Sequence, residues 1–171
     1  GSMVLDRENK ICYAAISIRT DEIAVMQFCE EFGYRPVCFT ANQDVEGERM
    51  AIYHTNVLMC VADTFVVICL DTIDDAIERE NVVENLKETG KEIIEITEEQ
   101  NQRFAGNMLQ VMGDKPYLVM SNSAYNSLSE SQIKTIEKHC PIIYSSLDTI
   151  EACGGGSARC MMSEIFLPKQ K

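Results

Sequence analysis

The sequence predicts an α/β protein of repeated strand–turn–strand–helix–strand units set radially about an axis, as in a propeller. Three observations carry that expectation. Asn56-Val57-Leu58-Met59-Cys60-Val61-Ala62-Asp63 lies over Asn107-Met108-Leu109-Gln110-Val111-Met112-Gly113-Asp114, matching Asn, Leu and Asp at one offset of 51 residues. After each aspartate the same order follows: an apolar run, a helical stretch and a short strand. The chain has 171 residues, 46% of them hydrophobic, enough for one domain with a real core. Units that cannot each bury an apolar face alone can share cores with their neighbours when repeated radially.

In chain order, Val4 leads through the turn Asp6-Arg7-Glu8-Asn9 into a strand over residues 11–18, a helix over 21–32 and a strand over 37–40, a weaker copy of the unit. In the helix, Val25, Phe28, Cys29 and Phe32 fall at i, i+3, i+4 and i+7 and form one apolar stripe. Residues 41–47 read as a solvated loop. Tyr53-His54-Thr55-Asn56-Val57 opens the next apolar strand, followed by a strand over 65–70, a helix whose acidic run at 78–84 reads as a solvated face, and a strand over 93–96. The third copy has a strand over 117–120, a helix announced by the capping box of Ser129 and Gln132, and a strand over 142–144. Helices are expected outside and strands inside, with the turns before the strands converging on the axis.

The balance of 15 Lys and Arg against 27 Asp and Glu leaves a net charge of −12, with a pI of about 4.6. A net anion is a poor ligand for a phosphate backbone or an anionic membrane, so neither nucleic acid nor membrane is an expected partner. The chain shows no secretory leader and no apolar run long enough to span a bilayer. Its eight cysteines have no Cys-x-x-Cys pair and no closely spaced histidines beside them. That pattern predicts a reducing, cytoplasmic setting, seven structural cysteines and no metal site; no cofactor is expected, because a thiolate and an imidazole would supply the reactive groups.

The eighth cysteine is the chemical candidate. Gly154-Gly155-Gly156-Ser157-Ala158-Arg159-Cys160-Met161-Met162 reads as a glycine run ending in one cysteine at the mouth of an apolar strand. The three glycines let backbone and ligand approach closely, Gly155, Gly156, Ser157 and Arg159 are expected to form an active-site loop, and Arg159 is placed to favour thiolate over thiol. The plainer reading is a tight turn before a buried strand with a structural cysteine. His54, far upstream, supplies the imidazole that a thiol enzyme needs, because such pairs are joined by the fold and not by the chain. Its plainer reading is a hydrogen-bonded core histidine. Asn56 and Asn107 stand at repeat-equivalent positions, either facing the same site or bonding turn backbone. Asp44 and Glu46 are the nearest carboxylates before His54, as substrate contacts or as part of a solvated loop. His139, near a helix C-terminus, reads as a surface residue.

The stretches His54-Thr55-Asn56-Val57, Phe104-Ala105-Gly106-Asn107 and residues 150–161, with Ser17-Ile18-Arg19-Thr20-Asp21, resemble the guanidine-modifying, or pentein, superfamily. Within it the sequence looks closest to the citrulline-utilisation hydrolases. The resemblance implies a pentein-type α/β-propeller of five strand–strand–helix–strand modules, of which residues 1–171 hold about three as the C-terminal part of a single domain. Gly1 and Ser2 are either a cloning remnant or the end of a Glu-Gly-Thr-Gly-Ser motif of that family. Carried over, Cys160 is the nucleophile and His54 the general acid and base. Asn56, Asn107 and Arg19, with Asp44 and Glu46 more weakly, are expected to bind substrate. Asn56 stands where arginine-processing relatives tend to place an aspartate, and a neutral amide suits a neutral ureido group. The implied reaction converts citrulline to ornithine, ammonia and carbon dioxide. Arginine deiminase or dimethylarginine hydrolase-like chemistry, or a non-catalytic pentein binding module, are the alternatives. The expected partners are a small amino-acid substrate and either a second copy or a complementing N-terminal chain.

Overall fold

Every side chain of Phe65-Val66-Val67-Ile68 is buried, and the period of two explains how. Val66 and Ile68 enter one core with Ile11, Tyr13, Val37 and Phe39, while Phe65 and Val67 enter a second with Met108, Leu118, Met120 and Ile136. The strand over Ile11–Ala15 behaves alike, sending Ile11, Tyr13 and Ala15 to the first core and Cys12 and Ala14 to a third beneath the first helix. A strand between two cores must be apolar on both faces, which is why these runs are continuous and not alternating.

The computed structural model describes residues 1–166. Three sheets share one topology. The first holds β1 (Val4–Asp6), β2 (Ile11–Ala15) and β3 (Arg35–Phe39), with α1 (Glu22–Phe32) between β2 and β3. A hairpin of β4 (Asn42–Val45) and β5 (Glu48–Ala51) follows, and then a 3-10 turn, Thr55–Val57. The second sheet holds β6 (Met59–Val61), β7 (Phe65–Ile68) and β8 (Glu92–Glu95), with a 3-10 turn (Leu70–Thr72) and α2 (Ala76–Glu88) before β8 and α3 (Glu98–Gln102) after it. The third holds β9 (Leu109–Met112), β10 (Pro116–Ser121) and β11 (Ile142–Ser145), with α4 (Asn122–Ser127) and α5 (Glu130–His139) ahead of β11. The described chain ends with α6 (Asp148–Gly154), α7 (Ala158–Met161) and an extended tail. In each sheet the first two strands pair antiparallel and the third runs parallel to the second. The helix between them makes that crossover possible.

The first strands are neighbours, β1 against β6 and β6 against β9, and they border a cavity of about 580 Å³. Among the described residues the sheets stay separate and no pairing closes them into a barrel. Lys91 and Asp6 join the first two sheets across this region, Nζ to Oδ2 at 3.3 Å, with both side chains 2% exposed. Lys91 also donates to the Asp63 carbonyl at 2.7 Å, and Asp6 accepts from the backbone and side chain of Asn9.

The helix signals hold locally. Asp21 caps α1 by accepting from Ala24 N–H, and Ser129 and Gln132 form the reciprocal capping box of α5. Val25 and Cys29 of the α1 stripe are buried, but Phe32 is 55% exposed and rests on Phe28. Three expectations are corrected. Residues 41–47 are not a loop: Glu46 and Gly47 turn with positive φ, 51° and 87°, and close the β4–β5 hairpin. His139 is not a free surface residue, because Phe65 stacks on its ring and Thr64 and Glu92 hold its two nitrogens, each at 2.8 Å. Cys153 lies exposed on α6 and is no core cysteine, whereas Cys12, Cys29, Cys60, Cys69 and Cys140 are buried.

Among the described residues no helix is long and apolar enough to cross a membrane. Nor does any group of three or more His, Cys, Asp or Glu stand ready to hold a metal ion among them.

Candidate active site

Cys160 sits on α7, a single helical turn, and not at the mouth of a strand. So short a helix has no stability of its own, and its tertiary bonds explain it. Arg159 N–H donates to the Asn107 carbonyl at 3.3 Å, and Ser157 N–H to Asn107 Oδ1 at 3.1 Å. The Ser157 hydroxyl, fully buried, donates to Glu151 Oε1 at 2.5 Å, tying the glycine loop back to α6. Gly155 takes φ +66° at the end of α6, open to glycine without strain. Gly156 is required by space: a Cβ there would lie 2.9 Å from Cys160 Cβ and 3.0 Å from Sγ.

Two side-chain amides converge on the sulfur. Asn107 Nδ2 lies 3.2 Å from Cys160 Sγ and Asn56 Nδ2 3.9 Å from it. Asn107 also donates to the Asn56 backbone carbonyl at 2.7 Å, so the two repeat-equivalent asparagines are bonded to each other as well as to the thiol. Asn56 Oδ1 is buried without a hydrogen-bond partner among the described residues. Asn56 belongs to the 3-10 turn Thr55–Val57, and His54 is the residue that precedes the turn.

His54 is half-buried beside Asn56, and the two flank Gly1: a Cβ on Gly1 would meet His54 Nδ1 at 2.9 Å and Asn56 Oδ1 at 3.2 Å. Burial, then the amino terminus and then Arg19 hold the imidazole below the ordinary histidine value. Among the described residues no hydrogen bond joins His54 to Cys160. The link runs through Asn56, and through Tyr53, whose ring packs edge-on against His54 and whose hydroxyl donates to the Gly155 carbonyl at 3.4 Å.

The fold thus assembles Cys160, His54, Asn56, Asn107, Gly155, Gly156 and Ser157. It places the other candidates differently. Asp44, on the exposed hairpin, faces Arg49 at 3.6 Å, and Glu46 is in the turn, with no bond from either to the cluster. Arg49 reaches onward to Asp74 and Glu98, each at 2.7 Å, so this hairpin is clamped by charge. Arg159 does not turn to the thiol: its guanidinium lies against Glu164 and the Met162 carbonyl. Arg19 is exposed in the turn after β2, near enough to bias His54, and its backbone accepts from Ser2 Oγ at 2.8 Å.

Thr55 is a positioning group that pattern reading passes over. Fully buried, its hydroxyl donates to the Ser2 carbonyl at 2.5 Å and accepts from Ala15 N–H at 2.8 Å, bolting the His54 turn to the end of β2. Nothing in the local sequence distinguishes it from any threonine before a turn.

Three small sheets of one topology, with a thiol held by amide donors, make this a mixed α/β protein with a cysteine-centred site. Residues 1–167 match the family model of the eukaryotic N,N dimethylarginine dimethylhydrolases, and the chain belongs to that family of hydrolases. No curated protein sequence matches it. Among solved structures, the N-terminal domain of ArgZ, covalently bound to a reaction intermediate, superposes with a TM-score of 0.71 at 16% identity, over 94% of this chain and 53% of that one. Apo ArgZ, an arginine dihydrolase from the ornithine–ammonia cycle in Cyanobacteria, gives 0.70 at 17% identity, over 99% and 25%. The C. jejuni agmatine deiminase gives 0.55 at 14% identity, over 94% and 53%. At these identities the likeness is one of fold. The chain spans about half the length of the ArgZ N-terminal domain.

Proposed function

We propose that this chain carries the nucleophile and the acid–base group of a cysteine-dependent hydrolase that cleaves a terminal C–N bond of a guanidino or ureido amino acid. The observation that supports it most is the convergence of Asn107 and Asn56 N–H donors on Cys160 Sγ, with His54 preceding the turn that carries Asn56. Neutral His54 takes the thiol proton when substrate brings the groups together, and the thiolate attacks the planar central carbon. His54 returns that proton to the departing amine, leaving the carbon bonded to sulfur. Water then attacks, again giving its proton to His54, and the C–S bond breaks to release Cys160. A guanidino amino acid thereby yields an amine and a ureido product. Family membership favours a guanidinium of the arginine type.

Citrulline is the second reading, and one observation favours it. Asn56 offers a neutral amide with a donor toward Cys160 and an unpartnered acceptor, which matches an uncharged ureido group. Cleavage of its terminal C–N bond and hydrolysis of the resulting carbamoyl sulfur intermediate give ornithine, ammonia and carbon dioxide. Incubating the protein separately with dimethylarginine, arginine and citrulline, and quantifying amine, ammonia, citrulline and ornithine, decides between them. Dimethylamine with citrulline selects the methylated substrate, ammonia with ornithine from citrulline selects the second reading, and silence on all three sinks the hydrolase in favour of a binding module.

The lowered value of His54 makes a pH prediction. A base of that kind stays unprotonated to lower pH, so activity is lost only as pH falls through the lowered value. The acid limb of kcat/KM is expected below 6.5, the ordinary histidine value, and His54→Ala is expected to remove that limb with a loss of about 10²- to 10⁴-fold. An acid limb above 6.5 contradicts the assignment.

We further propose that residues 1–171 act as the C-terminal part of one five-module domain, about three modules of which are here, in a reducing, cytoplasmic setting. Eight free cysteines support the setting. The edge strands β3 and β11, with exposed Ile143, Tyr144, Ile165 and Phe166, support a need for further modules or a second copy. Light scattering is expected to show self-association at micromolar concentration, and a monodisperse monomer would count against it.

A further inference from the structure

Asn107 uses its amide completely, and not on a ligand. One Nδ2 hydrogen goes to the Asn56 carbonyl at 2.7 Å and the other to Cys160 Sγ at 3.2 Å, while Oδ1 receives Ser157 N–H at 3.1 Å. Its backbone carbonyl receives Arg159 N–H, and the residue is 2% exposed. These bonds fix the amide's orientation. The Ser157 N–H demands an acceptor and the Asn56 carbonyl demands a donor, so the nitrogen must be the end that faces sulfur. Gly106 lets the chain come this close: a Cβ there would lie 2.3 Å from the Val57 carbonyl oxygen and 2.7 Å from Asn101 Oδ1. The backbone therefore passes directly under the turn that carries Asn56, and Asn107 reaches the turn, the glycine loop and the thiol together.

We propose that Asn107 is the positioning residue of Cys160: it presents an N–H to the sulfur and locks the thiol-bearing turn to the His54–Asn56 turn, and it binds no substrate. The proposal rests on the reading of Cys160 as nucleophile. A donor aimed at sulfur fixes the direction of the thiol, and the bond to Asn56 ties the thiol-bearing turn to the turn that follows His54. It also replaces the expectation that Asn107 contacts substrate. An aspartate at this position, nearly the same in shape, would turn acceptors toward both the sulfur and the Asn56 carbonyl.

The test measures Cys160 alkylation by iodoacetamide, followed by peptide mass across a pH series, in a Cys153→Ser background that removes the other exposed thiol. Asn107→Asp and Asn107→Ala are compared with the parent, with thermal melts run alongside. The expected result is a fall in alkylation rate at neutral pH of about tenfold or more in Asn107→Asp, with the rate profile displaced toward alkali, and a smaller fall in Asn107→Ala. Unchanged alkylation in folded variants, with KM raised in the turnover assay, would overturn the proposal and return Asn107 to substrate binding. Wild-type protein carrying ¹⁵N-asparagine supplies a check independent of those variants. The Asn107 side-chain amide resonances are expected to move as Cys160 titrates and to lose that movement in Cys160→Ala, and resonances that never respond to Cys160 would also overturn it. Because alkylation needs no substrate, a displaced profile in a protein that turns over nothing would defeat the hydrolase reading while leaving the role of Asn107 standing.

Discussion

Cys160→Ala is expected to abolish hydrolysis while leaving the fold intact. The side chain is exposed on α7, and the turn is held by Asn107 through the backbone of Ser157 and Arg159, so removing the sulfur takes no bond from the structure but the amide contacts to Sγ. Stability is expected to change by no more than about 0.5 kcal/mol. The chemical loss is of another order, because the proposed nucleophile itself is removed; removal of a nucleophile can cost on the order of 10⁶-fold in turnover. Cys153→Ala is the matched control, since Cys153 is exposed on α6 and bonds to nothing in the cluster. Steady-state turnover and thermal melts of both variants check this, and equal losses in the two would remove Cys160 from its role.

Lys91→Ala is expected to have the largest effect on stability. Lys91 and Asp6 form an ion pair with both side chains 2% exposed, one at the start of the strand region of the second sheet and the other on β1 of the first. Truncating the lysine strands a buried carboxylate whose remaining partners are the N–H groups of Asn9. Breaking such a pair costs about 3–5 kcal/mol, a large share of the roughly 5–15 kcal/mol that holds a typical domain folded. The Asp6→Asn, Lys91→Met pair is expected to recover most of the loss, because it removes both charges at once. Urea denaturation of the single and paired variants tests this, and a Lys91→Ala loss below about 1 kcal/mol would show that the pair bears little weight.

The parts of the fold legible in the sequence are those in which local pattern and tertiary demand agree. The 51-residue offset marked two sheets of equal topology because strands buried on both faces leave unbroken apolar runs such as Phe65-Val66-Val67-Ile68. The capping box at Ser129 was legible because a side chain bonding its own helix needs only local spacing. The β4–β5 hairpin was not, since it has almost no apolar face to alternate; Arg49 fastens it through Asp74 and Glu98, far along the chain. At the site, Cys160 and His54 were readable as residue types with a chemistry, and the repeat-equivalent asparagines as their companions. The helical turn at Cys160, the diversion of Arg159 to Glu164 and the bolt at Thr55 depend on single contacts that spacing does not encode. Asn107 shows the difference most clearly, because its position suggested substrate binding and only its three engaged amide contacts show that its hydrogen-bonding groups are already occupied.

The proposed chemistry puts a covalent intermediate on one sulfur. The protein mixed with dimethylarginine, arginine or citrulline, quenched in acid within the first turnovers and digested, should yield the peptide spanning Cys160 with the mass of an amidino or carbamoyl adduct of the substrate used. The adduct should be missing from Cys160→Ala and from every other cysteine peptide. Turnover of any of these substrates with Cys160 unmodified throughout, or with the adduct on another residue, would contradict the account.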